Sequence, residues 1–310
     1  MRRSTVGLVL LLMTGVTAII ALAARATVEA QELEPRAYAN APVGLNFLIL
    51  GYGYSQGDVA VDSSAPIEDA KLTVHGAILA YVRALDVWGR AGKLDVVLPY
   101  GWVSGKATVA GQPREREVSG LGDPRVRFSV LLYGAPALSS TEFVRYTPDL
   151  IVGASLAVTA PLGQYDSDKL VNVGTNHWSV KPEVGISKTL GAFTLELTTS
   201  VTFYTANEDF FGGKTLKRDP LYAVQGHVIY HTRWGVWAAV DATYYTGGRT
   251  TIDGERGEPL QNLRLGTTIA IPIDRRNSVK LYGSTGVISR VGGNFDTVGF
   301  AWQYRWGAGF

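Results

Sequence analysis

Sulfur is almost missing from this sequence. The 310 residues contain no cysteine and 2 methionines, and both of these, Met1 and Met13, lie near the N-terminus. Without cysteine there is no disulfide framework, no CxxC redox pair, no thiolate metal site and no cysteine nucleophile. These absences exclude small disulfide-stabilised folds, zinc ribbons and cysteine-dependent enzymes.

The chain also lacks an excess of charge of one sign, with 29 Lys and Arg against 27 Asp and Glu. Its first 30 residues begin with Arg2 and Arg3, continue through an apolar run from Val6 to Ala24 and end in small residues. This pattern predicts a secretory signal peptide cleaved after Ala30, although the length of the run keeps an uncleaved membrane anchor as the alternative. Cleavage leaves 26 basic and 26 acidic residues. A basic surface for nucleic acid is therefore not indicated.

Apolar runs long enough for a membrane helix are absent from the rest of the chain. Instead, stretches of about ten to fourteen residues of alternating character are each followed by a break rich in Gly, Asp, Asn or Pro. The twelve stretches are 43–55, 71–84, 88–100, 124–134, 149–160, 175–189, 192–205, 219–232, 234–245, 260–271, 278–288 and 296–310. Residues 31–310 are thus expected to form one unit, with a lead-in to about residue 42 and strands from about residue 43.

The breaks between these stretches alternate in length. Four tight breaks indicate hairpin turns between antiparallel strands, and they fall around 85–87, 190–191, 233 and 275–277. The longer polar breaks include 101–123, 161–174, 206–218 and 246–259. Short turns at one end and long loops at the other describe an up-and-down antiparallel sheet. The long break at 135–148 is an exception, since it falls where a short turn is expected.

Each stretch has one apolar and one hydrogen-bonding face, as where Phe193, Leu195 and Leu197 alternate with Thr194 and Glu196. Aromatic residues sit preferentially at the ends of the stretches, as in the two girdles of a membrane-spanning barrel. A soluble β-sandwich also alternates, but its turns are not sorted into short and long ends. Because a membrane offers no partner to an open sheet edge, the strands should close on themselves. We therefore predict an all-β fold, a 12-stranded antiparallel up-and-down transmembrane β-barrel.

Charged residues on the faces away from lipid are the candidate functional residues, because an Arg or Lys facing lipid near mid-membrane would cost about 2 to 4 kcal/mol. The predicted solute path is lined by Asp95, Arg125, Arg127, Lys181, Glu183, Glu196, Asp241, Arg264, Lys280 and Arg305, with His75 and Lys93 also placed inward. A barrel of this size leaves two alternatives open, a narrow charged pore and an ion-paired, plugged lumen. An apolar patch for a hydrophobic solute is expected on inward faces of the first two strands, at Leu48, Leu50, Leu79 and Tyr81.

Signals of catalysis are weak. On a strand, His227 and His231 stand about 13 Å apart, at ~3.3 Å per residue, which is too far to share a metal ion. The sequence has no GxSxG motif and no complete P-loop. His177 and Ser179 share one face and are the local pair that an outer-membrane ester hydrolase could use, although rim residues of this kind are more often structural. We predict neither enzymatic activity nor a metal or cofactor.

Three stretches resemble the bacterial outer-membrane family of transporters of the meta-pathway of phenol degradation. They are SGLGDPRVRFSVLL (119–132), LAVTAPLGQYD (156–166) and LVNVGTNHWSVKPEVGIS (170–187), and the resemblance extends over essentially the whole mature chain. It implies an outer-membrane β-barrel, often associated with the catabolism of aromatic or other hydrophobic compounds, and it transfers no binding residues. The C-terminal Phe310, with Tyr304 and Trp306, resembles the signal that the barrel-assembly machinery recognises.

The sequence thus predicts a channel in the bacterial outer membrane, with both chain ends at the periplasmic face and the long loops outside. Its expected role is the uptake of small solutes, including aromatic or hydrophobic ones. The expected partners are outer-membrane lipid, the barrel-assembly machinery and a small-molecule solute, without nucleic acid. The alternatives are a structural or adhesion barrel with a plugged lumen and, with less support, an outer-membrane acyl-ester hydrolase.

Overall fold

The computed structural model describes residues 34–60, 67–109, 112–289 and 292–309. The predicted signal peptide, residues 1–30, lies outside this part of the chain. In chain order the described elements are β1 (Asn46–Ala60), β2 (Ile67–Val87), β3 (Arg90–Val109), β4 (Gln112–Leu121), β5 (Arg125–Tyr133), α1 (Ser140–Phe143), β6 (Leu150–Thr159), β7 (Ser179–Leu190), β8 (Phe193–Tyr204), β9 (Asn207–Phe210), β10 (Lys214–Arg218), β11 (Leu221–His231), β12 (Trp237–Gly247), β13 (Thr250–Ile252), β14 (Glu255–Arg256), β15 (Leu260–Pro272), β16 (Asn277–Ser289) and β17 (Gly292–Trp306). No described helix is long and apolar enough to cross a membrane.

The long strands close into one antiparallel barrel. Around the wall the order is β1, β2, β3, β5, β6, β7, β8, β11, β12, β15, β16 and β17, and β17 pairs back with β1. The remaining strand of the large sheet is β4. Along the same edge of β3, residues 92–97 pair with β5 and residues 100–109 pair with β4. β4 and β5 together make one position in the wall. The predicted 12-stranded barrel is confirmed.

Alternation along each strand explains why the wall forms. In β8 the side chains of Phe193, Leu195 and Leu197 are exposed on the outside, whereas Thr194 and Glu196 are buried on the inside. A continuous band of exposed apolar side chains is stable against lipid and unstable in water. The hydrocarbon of the membrane therefore takes the place of a second layer of protein on the outer face, and the polar face is left to line the lumen.

Short turns and long loops lie at opposite ends of the barrel, named here the short-turn end and the long-loop end. The short turns are 88–89, 191–192, 232–236 and 273–276, close to the predicted tight breaks. Gly89 and Gly191 take φ values of 78° and 61°, which favour glycine because a side chain clashes with the backbone there. Both described chain ends lie at the short-turn end, since Asn46 pairs with Trp306 in the first register of β1 and β17.

The turn between β15 and β16 is organised by one carboxylate. Asp274 accepts hydrogen bonds from the backbone N–H of Arg276 at 2.6 Å and of Asn277 at 2.7 Å. Together with the bond from the Asn277 amide, they hold the pKa of the exposed Asp274 carboxyl below its ordinary value of 3.8. The ionised side chain thus fixes a turn at which the chain must reverse.

The exceptional long break, residues 134–149, crosses the short-turn end and is named here the cross-segment. It contains α1, whose first turn is closed by a capping box between Ser139 and Glu142. The Ser140 hydroxyl donates to the Ala308 carbonyl near the C-terminus. The backbone N–H of Val43, before β1, donates to the Leu138 carbonyl at 2.9 Å. The cross-segment therefore contacts the chain on both sides of the β1–β17 pairing.

Candidate functional site in the barrel lumen

The cross-strand register places the predicted charged residues on one face of the wall. Asp95 pairs with Arg127, and Glu196 pairs through His227 with Asp241, so these residues share a face. The same register extends this face to the whole predicted set, Asp95, Arg125, Arg127, Lys181, Glu183, Glu196, Asp241, Arg264, Lys280 and Arg305, together with Lys93. It is the lumen face, because the residues between them are the exposed apolar ones. That these side chains line a solute path remains a prediction.

The lead-in to the first strand folds back into the barrel. Residues 34–41, named here the plug, have Tyr38 at their centre, and this side chain is only 3% exposed. The Tyr38 hydroxyl lies 3.3 Å from Ser155 Oγ and donates to Glu183 Oε1 at 3.0 Å. A Cβ added at Gly153 or Gly185 would come within 2.2 or 2.3 Å of the Tyr38 ring. Glycine is therefore required at these wall positions to seat the ring.

A guanidinium between two carboxylates ties the plug to the wall. Arg127 contacts Glu34 Oε2 at 2.6 Å through Nη1 and Asp95 Oδ2 at 2.6 Å through Nη2 and Nε. The side chains of Arg127 and Asp95 are 11% and 5% exposed. In such surroundings each charge needs its partner, because an unpaired buried charge costs several kcal/mol. Arg127 thus acts as a structural link between β3, β5 and the plug.

The next residues of the plug dock on the opposite part of the wall. The backbone N–H of Arg36 donates to Glu196 Oε2 at 2.7 Å, while Ser187 donates to the other oxygen of the same carboxylate at 3.1 Å. The Arg36 guanidinium lies 5.5 Å from the centroid of the Trp237 ring, within cation–π range. Lys93 donates to the Ala37 carbonyl. Four of the charged lumen residues therefore contact the plug: Lys93, Arg127, Glu183 and Glu196.

The two histidines of β11 have separate partners. His227 Nδ1 lies 2.5 Å from Asp241 Oδ1, and Thr268 donates to the other Asp241 oxygen at 3.2 Å. His231 Nε2 lies 3.0 Å from the Thr194 hydroxyl. In the part of the chain that the structure describes, no group of three metal-binding side chains comes together.

The long-loop half of the lumen combines apolar side chains with buried polar ones such as Asn262 and Arg264. Its inner surface holds one packed cluster, named here the vestibule cluster: Leu72, Val74, Val103, Val118, Val171, Val173 and Phe295. A second group, Phe210, Leu216 and Ile252 with Leu170 and Phe211, packs in the small sheet formed by β9, β10, β13 and β14. Neither group was predicted, because ten of these twelve apolar residues belong to breaks between the predicted strands.

The loop between β6 and β7 is held against the barrel by one aspartate. Asp123, in the break between β4 and β5, accepts from Gly163 N at 2.8 Å with one oxygen. Its other oxygen accepts from the backbone N and the hydroxyl of Thr175 at 2.8 and 2.6 Å. Gln164 N donates to the Leu121 carbonyl at 2.7 Å and covers the end of β4. These contacts place Val171 and Val173 inside the vestibule cluster.

The predicted apolar patch on the first two strands is wrong. Leu48, Leu50, Leu79 and Tyr81 lie on the outer face: Leu50 pairs with Leu79 and, on its other side, with the outward-facing Trp302. Leu50 and Leu79 are 46% and 41% exposed. The inner face of these strands instead holds glycines and residues such as Val74. Both faces of β1 are free of charge over this stretch, so alternation could not separate them.

His75 was also predicted to point inward, and this is wrong. It shares the outer face of β2 with Leu79 and lies 2.6 Å from the Tyr52 hydroxyl, and its ring packs on Tyr54 at 5.1 Å between centroids. On the outer face near the long-loop end, histidine and two tyrosines form part of an aromatic girdle.

His177 and Ser179 do not form a site on the lipid side. Both are buried, and the exposed residue between them is Trp178, which faces outward. His177 Nδ1 lies 3.1 Å from the Thr175 carbonyl, and the His177 ring packs edge-on against Tyr204. Their geometry is that of residues that fasten the loop before β7.

The rings of Tyr304 and Trp306 stack at 5.7 Å on the outer face of β17. Their role as an assembly signal remains a prediction, and Phe310 lies outside the described residues.

Comparison with known proteins places the chain in a family. The family model described as "Putative MetA-pathway of phenol degradation" matches residues 52–304. A search of curated protein sequences finds no match. An outer membrane channel from Pseudomonas putida F1 has a similar structure, with a TM-score of 0.76 and 22% identity over 89% of this chain and 100% of that one. The transport unit of the autotransporter AIDA-I from Escherichia coli has a TM-score of 0.53 and 11% identity, over 94% and 97% of the two chains. The chain belongs to the family of the putative MetA-pathway of phenol degradation.

Proposed function

We propose that this barrel is an outer-membrane channel for the uptake of small hydrophobic solutes, including aromatic ones. Family membership and the outward-facing apolar band support a place in the outer membrane, where export by the N-terminal signal peptide would deliver it. The single observation that carries the solute class is the division of the lumen. Its long-loop half presents the vestibule cluster, and its short-turn half is occupied by the plug.

A hydrophobic solute gains free energy in the vestibule, whereas a polar one does not. Burying apolar surface is worth about 25 cal/mol per Å², so an aromatic solute with roughly 150 Å² of buried surface gains about 4 kcal/mol before association costs. A sugar or an ion would gain no comparable free energy against Leu72, Val74 and Phe295. The vestibule thus selects for apolar solutes before they reach the plug.

Free diffusion of hydrophilic solutes does not fit the plugged lumen. Water and ions would have to pass Tyr38, Arg127 and Glu196, whose polar atoms are engaged with the plug or the wall. Opening such a pair without a replacement partner costs several kcal/mol. We therefore place the plug as the element that restricts the channel, and a solute must move around it or displace it.

We also propose that the protein is a channel without catalytic activity. The inward, buried positions of His177 and Ser179 support this, and so does the His227–Asp241 pair, in which the one described hydroxyl, Thr268, bonds to Asp241 and not to the imidazole. A structural or adhesion barrel is the remaining alternative, and it predicts no transport.

Transport into proteoliposomes tests this function. The refolded barrel is compared with empty liposomes for the initial uptake of toluene and of glucose, and the same preparation is inserted into planar bilayers to record single-channel current. Faster uptake of toluene, no acceleration for glucose and only small current steps are expected. Equal toluene uptake with and without a folded, heat-modifiable barrel would sink the proposal in favour of a structural barrel. Large steps with rapid glucose uptake would instead indicate an open hydrophilic pore.

A further inference from the structure

Arg264 differs from Arg127, the arginine that ties the plug to the wall. It lies on β15, is 6% exposed and makes one hydrogen bond, from Nη2 to Ser284 Oγ at 2.9 Å. Its Nε is buried without a hydrogen-bond partner among the described residues. A guanidinium carries five N–H donors. Arg264 therefore keeps most of its donor capacity unused inside the barrel.

The contrast with Arg127 shows what Arg264 lacks. Arg127 has carboxylates on two sides, from Glu34 and Asp95. Among the described residues Arg264 forms no ion pair: its one hydrogen bond goes to Ser284, and Tyr245 and Asp296 act on it only electrostatically. A buried charge without a partner is costly and marks a functional site in a membrane protein more often than a structural one.

A second unpartnered group stands directly beside it. Thr243 is opposite Arg264 in the register of β12 and β15 and is 2% exposed. Its hydroxyl also lacks a hydrogen-bond partner among the described residues. A planar guanidinium next to hydroxyl groups is a suitable arrangement for a carboxylate, which accepts two parallel N–H bonds and further bonds from O–H donors.

A continuous row of side chains joins this point to the vestibule. On the lumen face Ser284 pairs with Thr297, Thr297 with Ser55 and Ser55 with Val74. The hydroxyls of Ser55 and Thr297 lie 2.9 Å apart. Val74 is a member of the vestibule cluster. The row thus changes from a cation through hydroxyls to an apolar surface, which is the polarity of an amphipathic acid.

We propose that Arg264, with Thr243 and Ser284, binds the carboxylate of an amphipathic organic acid whose apolar part lies in the vestibule cluster. The placement of the apolar part rests on the function proposed above, and the carboxylate site does not. The bound carboxylate would supply the ion-pair partner that Arg264 lacks among the described residues. It also extends the solute range from neutral hydrocarbons to their acid derivatives.

Isothermal titration calorimetry on the barrel in lipid nanodiscs tests the site, with empty nanodiscs subtracted. The probes are 4-phenylbutyrate, the neutral 4-phenylbutanol and inorganic phosphate. The variants are Arg264→Gln, Thr243→Val and Lys106→Gln, the last as a control that removes an exposed positive charge outside the predicted solute path. Heat-modified gel migration establishes that each variant is folded.

Wild-type protein is expected to bind 4-phenylbutyrate at least about tenfold more tightly than 4-phenylbutanol, the factor that a charge-assisted hydrogen bond supplies. Arg264→Gln should abolish this difference, Thr243→Val should reduce it by about threefold, and Lys106→Gln should preserve it. If Arg264→Gln does not fold, the Thr243→Val result decides by itself. Unchanged binding of the acid in Arg264→Gln, or in Thr243→Val alone, overturns the proposal, and so does inorganic phosphate binding as tightly as the acid.

The binding and transport experiments distinguish a failure of the carboxylate site from a failure of the proposed transport function. Toluene carries no carboxylate, so toluene uptake by the wild-type barrel and the difference in binding between the acid and the alcohol are independent measurements. A barrel that binds 4-phenylbutyrate through Arg264 but does not accelerate toluene uptake would retain the site and contradict the transport function. A barrel that transports toluene but binds the acid and the alcohol equally would support the transport function and contradict the carboxylate site.

Discussion

The two ends of the lumen differ in the side chains that fill them. At the short-turn end the plug fills the interior, and its contacts are ion pairs and hydrogen bonds to Arg127, Glu183 and Glu196. At the long-loop end the interior is lined by Leu72, Phe295 and their neighbours, and the elements that narrow it are loops. The polar half is specific in geometry and therefore easy to disrupt by one substitution. The apolar half is tolerant of shape and suited to a range of solutes.

The largest expected effect follows from displacing the plug. In Gly153→Ala/Gly185→Ala each added methyl group would overlap the Tyr38 ring, so the ring must leave its seat. Single-channel conductance in planar bilayers should rise by about tenfold, because a side-chain constriction controls ion flow through a narrow pore. The matched control is Gly76→Ala on the far wall, where an added Cβ meets nothing within 4 Å. Equal conductance of the two variants would contradict the role of the plug.

The next effect separates a buried ion pair from an exposed one. Arg127→Ala leaves Asp95 and Glu34 without their common partner and should lower the free energy of unfolding by roughly 3 to 5 kcal/mol. Lys106→Ala breaks the pair with Glu115, in which both side chains are 66% exposed, and should change stability by less than about 1 kcal/mol. Urea titrations of the folded barrel in lipid measure both values. Similar losses in the two variants would show that Arg127 does not hold the plug.

A smaller effect on toluene uptake is expected from narrowing the lumen at Gly76. Gly76 lies on the lumen face of β2, between Gly53 and Gly101 in the register, so that Gly76→Phe projects a ring into unoccupied space. Initial toluene uptake should fall by about threefold while stability is retained, since a Cβ added at Gly76 meets no other atom within 4 Å. Gly226→Phe adds the same ring to the outer face, opposite Leu197, and should leave transport unchanged. A loss in Gly226→Phe equal to that in Gly76→Phe would place the route elsewhere.

The smallest effect concerns pH at the short-turn end. The hydrogen bonds in the turn hold the pKa of Asp274 below 3.8, so its contribution to stability is present above that value and is lost as the pH falls through the depressed pKa. The thermal unfolding midpoint of Asp274→Ala should therefore lie slightly below that of wild type at neutral pH. The two midpoints should converge in strong acid. A constant difference between them at all pH values would rule out this charge as its source.

The strands of the barrel could be predicted because lipid imposes a simple rule on the sequence. Every wall position that faces the membrane must be apolar, as Phe193, Leu195 and Leu197 are, and alternation makes that visible. β4 was not predicted because the requirement for an apolar, lipid-facing side does not apply to it. Its Arg114, Glu115 and Arg116 alternate in the sign of charge, and it pairs with an extension of β3 beyond the apolar band.

The plug and the vestibule could not be predicted from periodicity. Residues 34–41 have no regular alternation, and their position depends on contacts with residues more than a hundred positions away, such as Tyr38 with Glu183. The location of Arg264 on the inner face follows from alternation in β15. That no described carboxylate pairs with it depends on the closed lumen and has no signal in the local sequence.

The cross-segment also bears on the order in which the chain can close. Pairing β1 with β17 joins positions separated by more than two hundred residues, and the entropy lost on closing a flexible loop grows with the logarithm of its length. Because the cross-segment sits near the middle of the chain and contacts Val43 on one side and Ala308 on the other, it divides that closure into two shorter ones. The cross-segment, which contains no strand, can thereby bring the first and last parts of the chain together as the barrel folds.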